Sequence, residues 1–540
     1  MATKKQSFLG DTVITNLELG GGIQDNTIDI TSGTVNGVTN SGINPYRGKM
    51  LINCMSEAYK DANGQKSTLV IPRTGLGQVV STQNAGSMGR GIFYWEGMNC
   101  ILWAVGTNLY KTDATTTTLL INTLSTSASA KIGFIDYFNL SYQPALLVSD
   151  GASLWAINNV FTVFAIAFPT ASHSATPVFL DGYLFVASST GQIYNSKINL
   201  ADFTTTPSYI QADSYVDNTI ALARHKQYIL AFGSKSIEFF IDAGFPSPSS
   251  PLSRQQNYTI NVGLLALESL VVYDDKVYFL GKASDGSIGF YCIENTKLKR
   301  ISTPAIERTF GDYIEPSSLG IGVKQRNGPY LFAYKSQGHS LVGINLYATS
   351  AQLSLIYDIG EDEWYVWTAR NIGTPTTKSF NVGESGSGNS MFINTLPFNY
   401  TALTPYQVYS VDANSTGNLY RNTLTNYQGY DYFNSNCLID YCVRTDWTDF
   451  GSGTQKKINK VYVTGFLDTN KTTQIKLYTF INYSKTNYNY IGDATVATGQ
   501  DDPFLTSIGT CRRIQFELQW SGDQLASIDD LEIQFNWGSG

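Results

Sequence analysis

Three histidines, at 173, 225 and 339, are all that a chain of 540 residues offers for imidazole acid–base or metal chemistry. A metal centre or proton relay would bring two or more of them together, or set one against carboxylates at fixed spacing. They are instead far apart; His225 sits between Arg224 and Lys226 in a turn, and His339 follows Gly338, so each reads as an ordinary turn or surface residue. The acidic pairs Asp274-Asp275, Glu361-Asp362, Asp501-Asp502 and Asp529-Asp530 have the composition of carboxylate dyads or calcium ligands. Each also adjoins a predicted turn, where Asp caps the backbone, and that is the preferred reading. A glycosidase needs two carboxylates facing each other across a cleft, and a fold that gathers distant residues around an axis can supply that geometry. Six cysteines, at 54, 100, 292, 437, 442 and 511, lack Cys-x-x-Cys spacing and read as reduced, buried apolar residues. The sequence contains no His-Glu-x-x-His, Gly-x-Ser-x-Gly or Gly-Lys-Ser/Thr word. No catalytic, metal or cofactor site is therefore expected.

Charge narrows the partners. Lys and Arg total 36 against 43 Asp and Glu, a formal net charge of −7, and no basic run occurs. A tight nucleic-acid grip driven by counterion release is thus not expected. The N-terminus MATKKQSFLG lacks an apolar segment with a cleavage pattern, and no apolar run reaches the length of a membrane span, which predicts neither a secretion address nor membrane insertion.

The elements that must position any site are strands. Aromatics make up 13% of the chain, with 34 Tyr and 28 Phe, and charged residues only 15%, a balance that favours β structure. The stretch Thr219 to Ala243 shows the local grammar: Tyr228 to Gly233 is continuously apolar, Gly233-Ser234-Lys235 turns, and Ser236 to Ile241 begins to alternate. Similar units follow turns near 97, 141, 182, 226, 275 and 328, at steps of roughly 41 to 53 residues, the length of a four-stranded propeller blade. Leu355 to Asp358 and Glu363 to Trp367 form a further hairpin, and Gln407 to Val411 with Gly417 to Tyr420 a later copy. The reading is all-β: a propeller of six or seven blades over 46–434, preceded by an extended arm over 1–45 and followed by a β-sandwich-like module over 435–540. Met50 to Cys54 and Thr68 to Ile71 are expected to pair as its first hairpin. Two sandwiches are the rival architecture, because they also place short strands at regular spacing. Tyr and Trp on inner strands could form a sugar platform, but aromatics at strand spacing more often fill a blade core.

One group of residues carries a resemblance. Phe232-Gly233, then Ser236 and Glu238, then Asp242-Ala243-Gly244, and one blade later Arg300-Ile301-Ser302-Thr303, resemble a run in the packaged-DNA stabilisation proteins of short-tailed bacteriophages, also called tail accessory or nozzle proteins. Gly89-Arg90-Gly91-Ile92 and Asn108-Leu109-Tyr110 are similar to that family's first blade, although Thr74-Gly75-Leu76 stands where the family often has Pro-Gly-Leu. The likeness covers residues 45 to about 310 and extends weakly through Arg444-Thr445 and Lys456-Lys457-Ile458. It implies a non-enzymatic virion protein, assembled in the host cytoplasm, that forms a homo-hexameric nozzle ring. The ring would sit below the portal and adaptor, retain the packaged genome, and let viral DNA pass without sequence-specific binding. Its implied partners are the adaptor ring, tail spikes or fibres, and a needle or plug, with the arm and inter-blade loops as candidate subunit contacts. A propeller glycosidase or lyase and a carbohydrate-binding propeller are the alternatives.

Overall fold

Four consecutive sheets between residues 89 and 254 repeat a single plan in the computed structural model, a four-stranded antiparallel meander whose strand order follows the chain, and the fifth, to residue 300, adds Val262–Leu264 to the same meander. The structure describes residues 4–6, 12–17, 33–35, 38–40, 50–60, 66–73, 78–85, 87, 89–113, 116–125, 131–204, 208–313, 329–348, 351–367, 390–395, 407–412, 417–422, 430–433, 435–467, 472–482, 488–497, 503–505, 510–521 and 525–537. Blade 1 opens with Gly89–Trp95, blade 2 with Gly133–Phe138, blade 3 with Val178–Leu180, blade 4 with Thr219–His225 and blade 5 with Leu270–Tyr273. Blade 6 opens with Tyr330–Ser336 and blade 7 with Ser390–Thr395. Each opening strand adjoins that of the next blade, and Ser390–Thr395 lies against Gly89–Trp95, so the ring closes at seven blades.

Closure is made by hydrogen bonds between distant parts of the chain. The outer strand of blade 7 is Gln78–Thr82, which precedes blade 1 in sequence and pairs antiparallel with Asn418–Asn422, Leu419 opposite Ser81. That strand carries two valines among polar residues, and nothing in its own pattern identifies its partner.

The continuous apolar runs have a direct physical cause. The second strand of each blade is covered on both faces, by the blade before and the blade after. In Tyr228–Gly233, Leu230 and Phe232 pack with Val277 and Phe279 of blade 5, while Ile229 and Ala231 pack with Phe185 and Ala187 of blade 3. Cys100–Val105 is buried along its whole length for the same reason. Each Leu, Ile or Phe so placed contributes about 1.5–3 kcal/mol through removal from water. The turns between first and second strands carry left-handed residues that bring the hairpin back tightly: Asn99 (φ 46°), Asp181 (φ 49°), Lys226 (φ 56°), and both Asp274 (φ 50°) and Asp275 (φ 56°).

The C-terminal module is a two-sheet sandwich, and residues far upstream help to build it. Glu363–Trp367, the outer strand of blade 6, pairs in parallel with Met50–Ile52 at Val366 and Ile52. Met50–Ile52 pairs in turn with Asp440–Arg444, so blade 6 and one sandwich sheet form a single nine-stranded sheet. Tyr441, Val443, Phe516 and Leu518 of this sheet face Val461, Val463, Ile533 and Phe535 of the other. The hairpin expected between Met50 to Cys54 and Thr68 to Ile71 forms instead between Cys54–Lys60 and Lys66–Pro72, because Met50–Ile52 is taken up by other strands, and it joins the second sandwich sheet through Val70 and Ile528. The segment 50–72 therefore belongs to the module and not to the propeller that was expected to begin at 46. Its partners outside that hairpin lie more than 300 residues away, beyond the reach of any local pattern: the Asn53 side-chain amide, for example, donates to the Asp440 carbonyl at 2.8 Å across 387 residues. Thr12–Leu17 of the N-terminal arm pairs with Leu525–Trp537 of the same second sheet.

Candidate functional site

Inner strands of six blades line an axial cavity of about 490 Å³. Its wall is mostly apolar, with Ile92, Phe134, Pro177 and Val271 contributed by different blades, and Lys131 is its cation. The Lys131 ammonium donates to the Leu270 carbonyl at 2.9 Å and lies 5.9 Å from the centre of the Tyr330 ring. Burial pushes its pKa down to about 8, opposed by the charge of Glu268. Burial likewise raises the carboxyl of Glu268, with Lys131 pulling it back. Nearby, the buried Arg90 donates to the carbonyls of Gly106 at 2.7 Å and Ser125 at 2.8 Å. Such an arrangement joins blades 1, 2, 5 and 6 at the axis, and it presents neither a nucleophile with a base nor a carboxylate pair. Among the described residues, no group of three or more His, Cys, Asp and Glu is placed to hold a metal ion.

Of the residues that carry the family resemblance, Gly91 and Ile92 line this cavity, whereas those from Phe232 to Gly244 and from Arg300 to Thr303 do not and serve as joints. Phe232 stacks edge-on against Phe279 of blade 5, with ring centres 5.2 Å apart. Gly233 leaves room for Asp217, whose Oδ2 accepts from the amides of Lys235 at 2.7 Å and Ser236 at 3.1 Å; a Cβ at 233 would meet that oxygen at 2.2 Å. The Ser236 hydroxyl donates to Asp217 Oδ1 at 3.3 Å. Glu238 is buried and accepts from the Ser214 amide at 2.9 Å and from Arg254 Nη1 at 3.3 Å, while Arg254 also pairs with Asp213. Asp242 accepts from the Gly244 amide at 2.7 Å, the Ala243 amide donates to the Pro251 carbonyl at 2.8 Å, and Gly244 adopts φ 66°. The first half of the signature therefore ties the strands of blade 4 to its own turns and to the entry of blade 5.

The second half builds a helix start. The Ile301 amide donates to the Phe290 carbonyl at 2.8 Å, and the Phe290 amide donates to the Ser302 hydroxyl at 2.9 Å. The Thr303 hydroxyl accepts from the Ile306 amide at 3.4 Å, the geometry of an N-cap, and Pro304 occupies the first helical position. Glu307 is gripped by both nitrogens of the Arg300 fork and accepts from the Ser302 hydroxyl at 2.6 Å. The helix Pro304–Tyr313 buries Ile306 and Phe310 against blades 5 and 6. This helix was not expected in an all-β chain. Its start signal, Thr-Pro followed by Glu, was present at residues 303–307 but was absorbed into the signature.

The histidines depart from their expected roles. His339, expected as an ordinary turn residue, is buried, and its Nδ1 lies 2.5 Å from Asp358 Oδ2; that hydrogen bond raises its pKa. The pair ties the first and last hairpin turns of blade 6 together. His173 and His225 are also buried, and desolvation lowers the pKa of each. Nothing in the local sequence pattern marks either residue for burial. Asp274 and Asp275 form a hairpin turn, and Asp362 (φ 56°) accepts from the Tyr357 hydroxyl at 2.6 Å. Asp501 and Asp502 lie outside the described residues, as do the side chains of Asp529 and Asp530. Cys54, Cys100, Cys292, Cys442 and Cys511 are buried and in no disulfide, and burial raises the thiol pKa of Cys54, Cys100, Cys292 and Cys511; the side chain of Cys437 lies outside the described residues.

Comparison with known proteins adds the following. A family model described as Bacteriophage P22 Gp10, beta-propeller, matches residues 28–327. No curated protein matches the chain. Among solved structures, the chain is similar to the N-terminal domain of Nup159, with 10% identity and a TM-score of 0.36 over 69% of this chain and 99% of that one. It is also similar to the WD40 beta-propeller domain of Doa1, with 10% identity and a TM-score of 0.33 over 64% and 96% of the two chains. An ancestral GH74 enzyme aligns with 12% identity and a TM-score of 0.37 over 79% and 56%.

Proposed function

The chain belongs to the bacteriophage stabilisation family of beta-propeller proteins, as a structural phage protein of the tail that serves DNA stabilisation, and from that premise we propose that it builds the nozzle. In this reading six copies form a ring below the portal and adaptor. The ring retains the packaged genome, lines the path by which it leaves, and offers its outer surface to spikes, fibres or a needle. The chain acts without catalysis and without a cofactor.

The observation that carries the reading is the family match over residues 28–327, which spans the strands of blades 1 to 5. The axial cavity supports the ring in particular. A volume of about 490 Å³ suits a small molecule, whereas the major groove of a duplex alone is about 12 Å wide and 8.5 Å deep. A space of that size among the described residues is too small for a duplex, which favours a conduit between copies. A net charge of −7 suits such a wall, because strong attraction to phosphate would hold back a moving duplex.

The test is retention. Particles assembled without the chain should release their genome to added nuclease, and purified full-length chain should restore protection. Nuclease-resistant, infectious particles in its absence would contradict the proposal.

A further inference from the structure

Large apolar side chains exposed to water are unevenly distributed. Of sixteen among the described residues, nine lie on blades 1 to 3, which marks that side of the propeller. Blade 2 is the extreme, with Tyr142 79%, Val160 70%, Leu140 63%, Phe138 55% and Phe164 50% exposed. Its turns at 138–144 and 157–163 contain no Asp, Glu, Lys or Arg. An antiparallel meander puts its first and third turns at the same end, so these two tips project side by side. Both are held rigid by an asparagine carbonyl. Asn139 Oδ1 accepts from the amides of Ser141 at 2.9 Å and Gln143 at 3.0 Å, and Asn158 Oδ1 from those of Val160 at 3.1 Å and Thr162 at 2.8 Å. Tyr142 takes φ 56°, a conformation that costs a bulky residue free energy and that serves here to hold its ring outward. The corresponding loop of blade 3 adds Ile198 and Leu200, and its one lysine, Lys197, is already paired with Asp202 at 3.1 Å. The outer strand Val163–Ile166 is an uncharged sheet edge. By contrast, the outer strand of blade 5, Lys297–Arg300, carries three cations, the usual protection of an edge.

We infer that this surface is the contact through which one copy of the chain meets the C-terminal module of the next; the inference rests on the ring proposed above. Three arguments select that occupant. The area is right: three aromatics at half exposure or more supply on the order of 300 Å², and the aliphatic tips bring the patch towards the roughly 800 Å² that one side of a standard interface buries. Charge depletion with aromatic enrichment is the composition of an interface core, and the cation beside the blade 2 tips, Lys111 at 4.2 Å from the centre of the Phe161 ring, is already paired with Asp113 at 3.2 Å, which leaves it poorly placed to hold an anionic lipid headgroup. Position is the third. In a ring of seven blades the boundary between blades 2 and 3 lies across the axis from blade 6, which carries the module on its shared nine-stranded sheet. One subunit thus has its two surfaces on opposite sides, as a head-to-tail ring requires. The far end of that sheet is the edge strand Tyr488–Ala497, where Tyr490 is exposed.

The test is photo-cross-linking of the full chain in assembled particles, with Tyr142→benzoylphenylalanine and peptide identification by mass spectrometry. The expected product joins residue 142 to the 435–540 module of a second copy. In parallel, L140S/V160S, checked for folding by thermal melting, should reduce assembly of the chain into particles at least tenfold. Cross-links from 142 to a different virion protein, flotation of the chain with anionic vesicles that L140S/V160S abolishes, or chain-to-chain cross-links arising only from other positions would each overturn this assignment and leave the ring standing. A single copy per particle, by quantitative mass spectrometry, would instead remove the ring itself.

Discussion

The propeller and the C-terminal sandwich are both antiparallel β structure, yet they are assembled on opposite principles. A blade is written in one stretch: its four strands are consecutive, joined by turns as short as Lys226-Gln227, and its core forms when neighbours stack. The sandwich draws Met50–Ile52, Cys54–Lys60 and Lys66–Pro72 from one end of the chain and inserts them among strands from the other. The difference teaches where cooperativity resides. Damage to a blade is shared with two neighbours, whereas damage to the sandwich unlocks both chain ends and, through the nine-stranded sheet, blade 6. Closure by Gln78–Thr82 belongs to the second class, since it forms only after blade 7 exists.

The largest effect should come from the sandwich. Arg444 and Glu517 are fully buried and joined by a hydrogen bond of 2.7 Å from Nε. Arg444→Ala takes the cation from a buried carboxylate that keeps its hydrogen bond from Gln519, and should cost about 3–5 kcal/mol. Calorimetry should then resolve an early transition of the module ahead of the blades; a single undivided transition would erase the distinction between the two regions. Next, Phe232→Ala removes a ring buried between blades 4 and 5 and should cost about 3–5 kcal/mol. Amide exchange should rise in those blades while the sandwich keeps its protection. Gly233→Ala is smaller, about 1–3 kcal/mol, because the new methyl displaces Asp217 from the turn. A combined D217A/G233A variant should cost less than the two single changes together. Thr303→Ala removes the helix cap and should cost about 1 kcal/mol, with Thr303→Ser retaining most of it.

The smallest effect is a pH dependence confined to blade 6. Asp358 raises the folded-state pKa of His339. The sign follows: the contribution is complete below the unfolded value of about 6.5, and it fades as pH rises through the raised folded value. Denaturant midpoints should therefore fall modestly from pH 6 towards pH 9, and Asp358→Asn should flatten that slope. An unchanged slope in the variant would assign the dependence elsewhere.

Legibility in the sequence divides along the same line. Tyr228–Gly233, Cys100–Val105 and the turn residues Asp181, Lys226 and Asp275 are readable, because a strand covered on both faces must be continuously apolar and a tight hairpin needs left-handed residues. The later hairpins at 355–367 and 407–420 were legible for the same reason. What escaped was non-local. Gln78–Thr82 has no pattern that names Asn418–Asn422, and Met50–Ile52 is too short to declare either partner. The helix at Pro304–Tyr313 was hidden by its place between blades, although Thr303 and Pro304 announce it. Of the functional surface, the signature residues were visible and prove to be joints, while the exposed tips of blade 2 were not: Leu140, Tyr142 and Val160 look like core until the fold shows them outside.

The claim at the centre is that copies of this chain surround the DNA and that no single propeller carries it. An electron cryomicroscopy map of the assembled tail tests it directly. Six propellers around an open axis are expected, each meeting its neighbour's C-terminal module through blades 2 and 3. A duplex threaded through the axial cavity of one propeller, or a tail holding one copy, would contradict it.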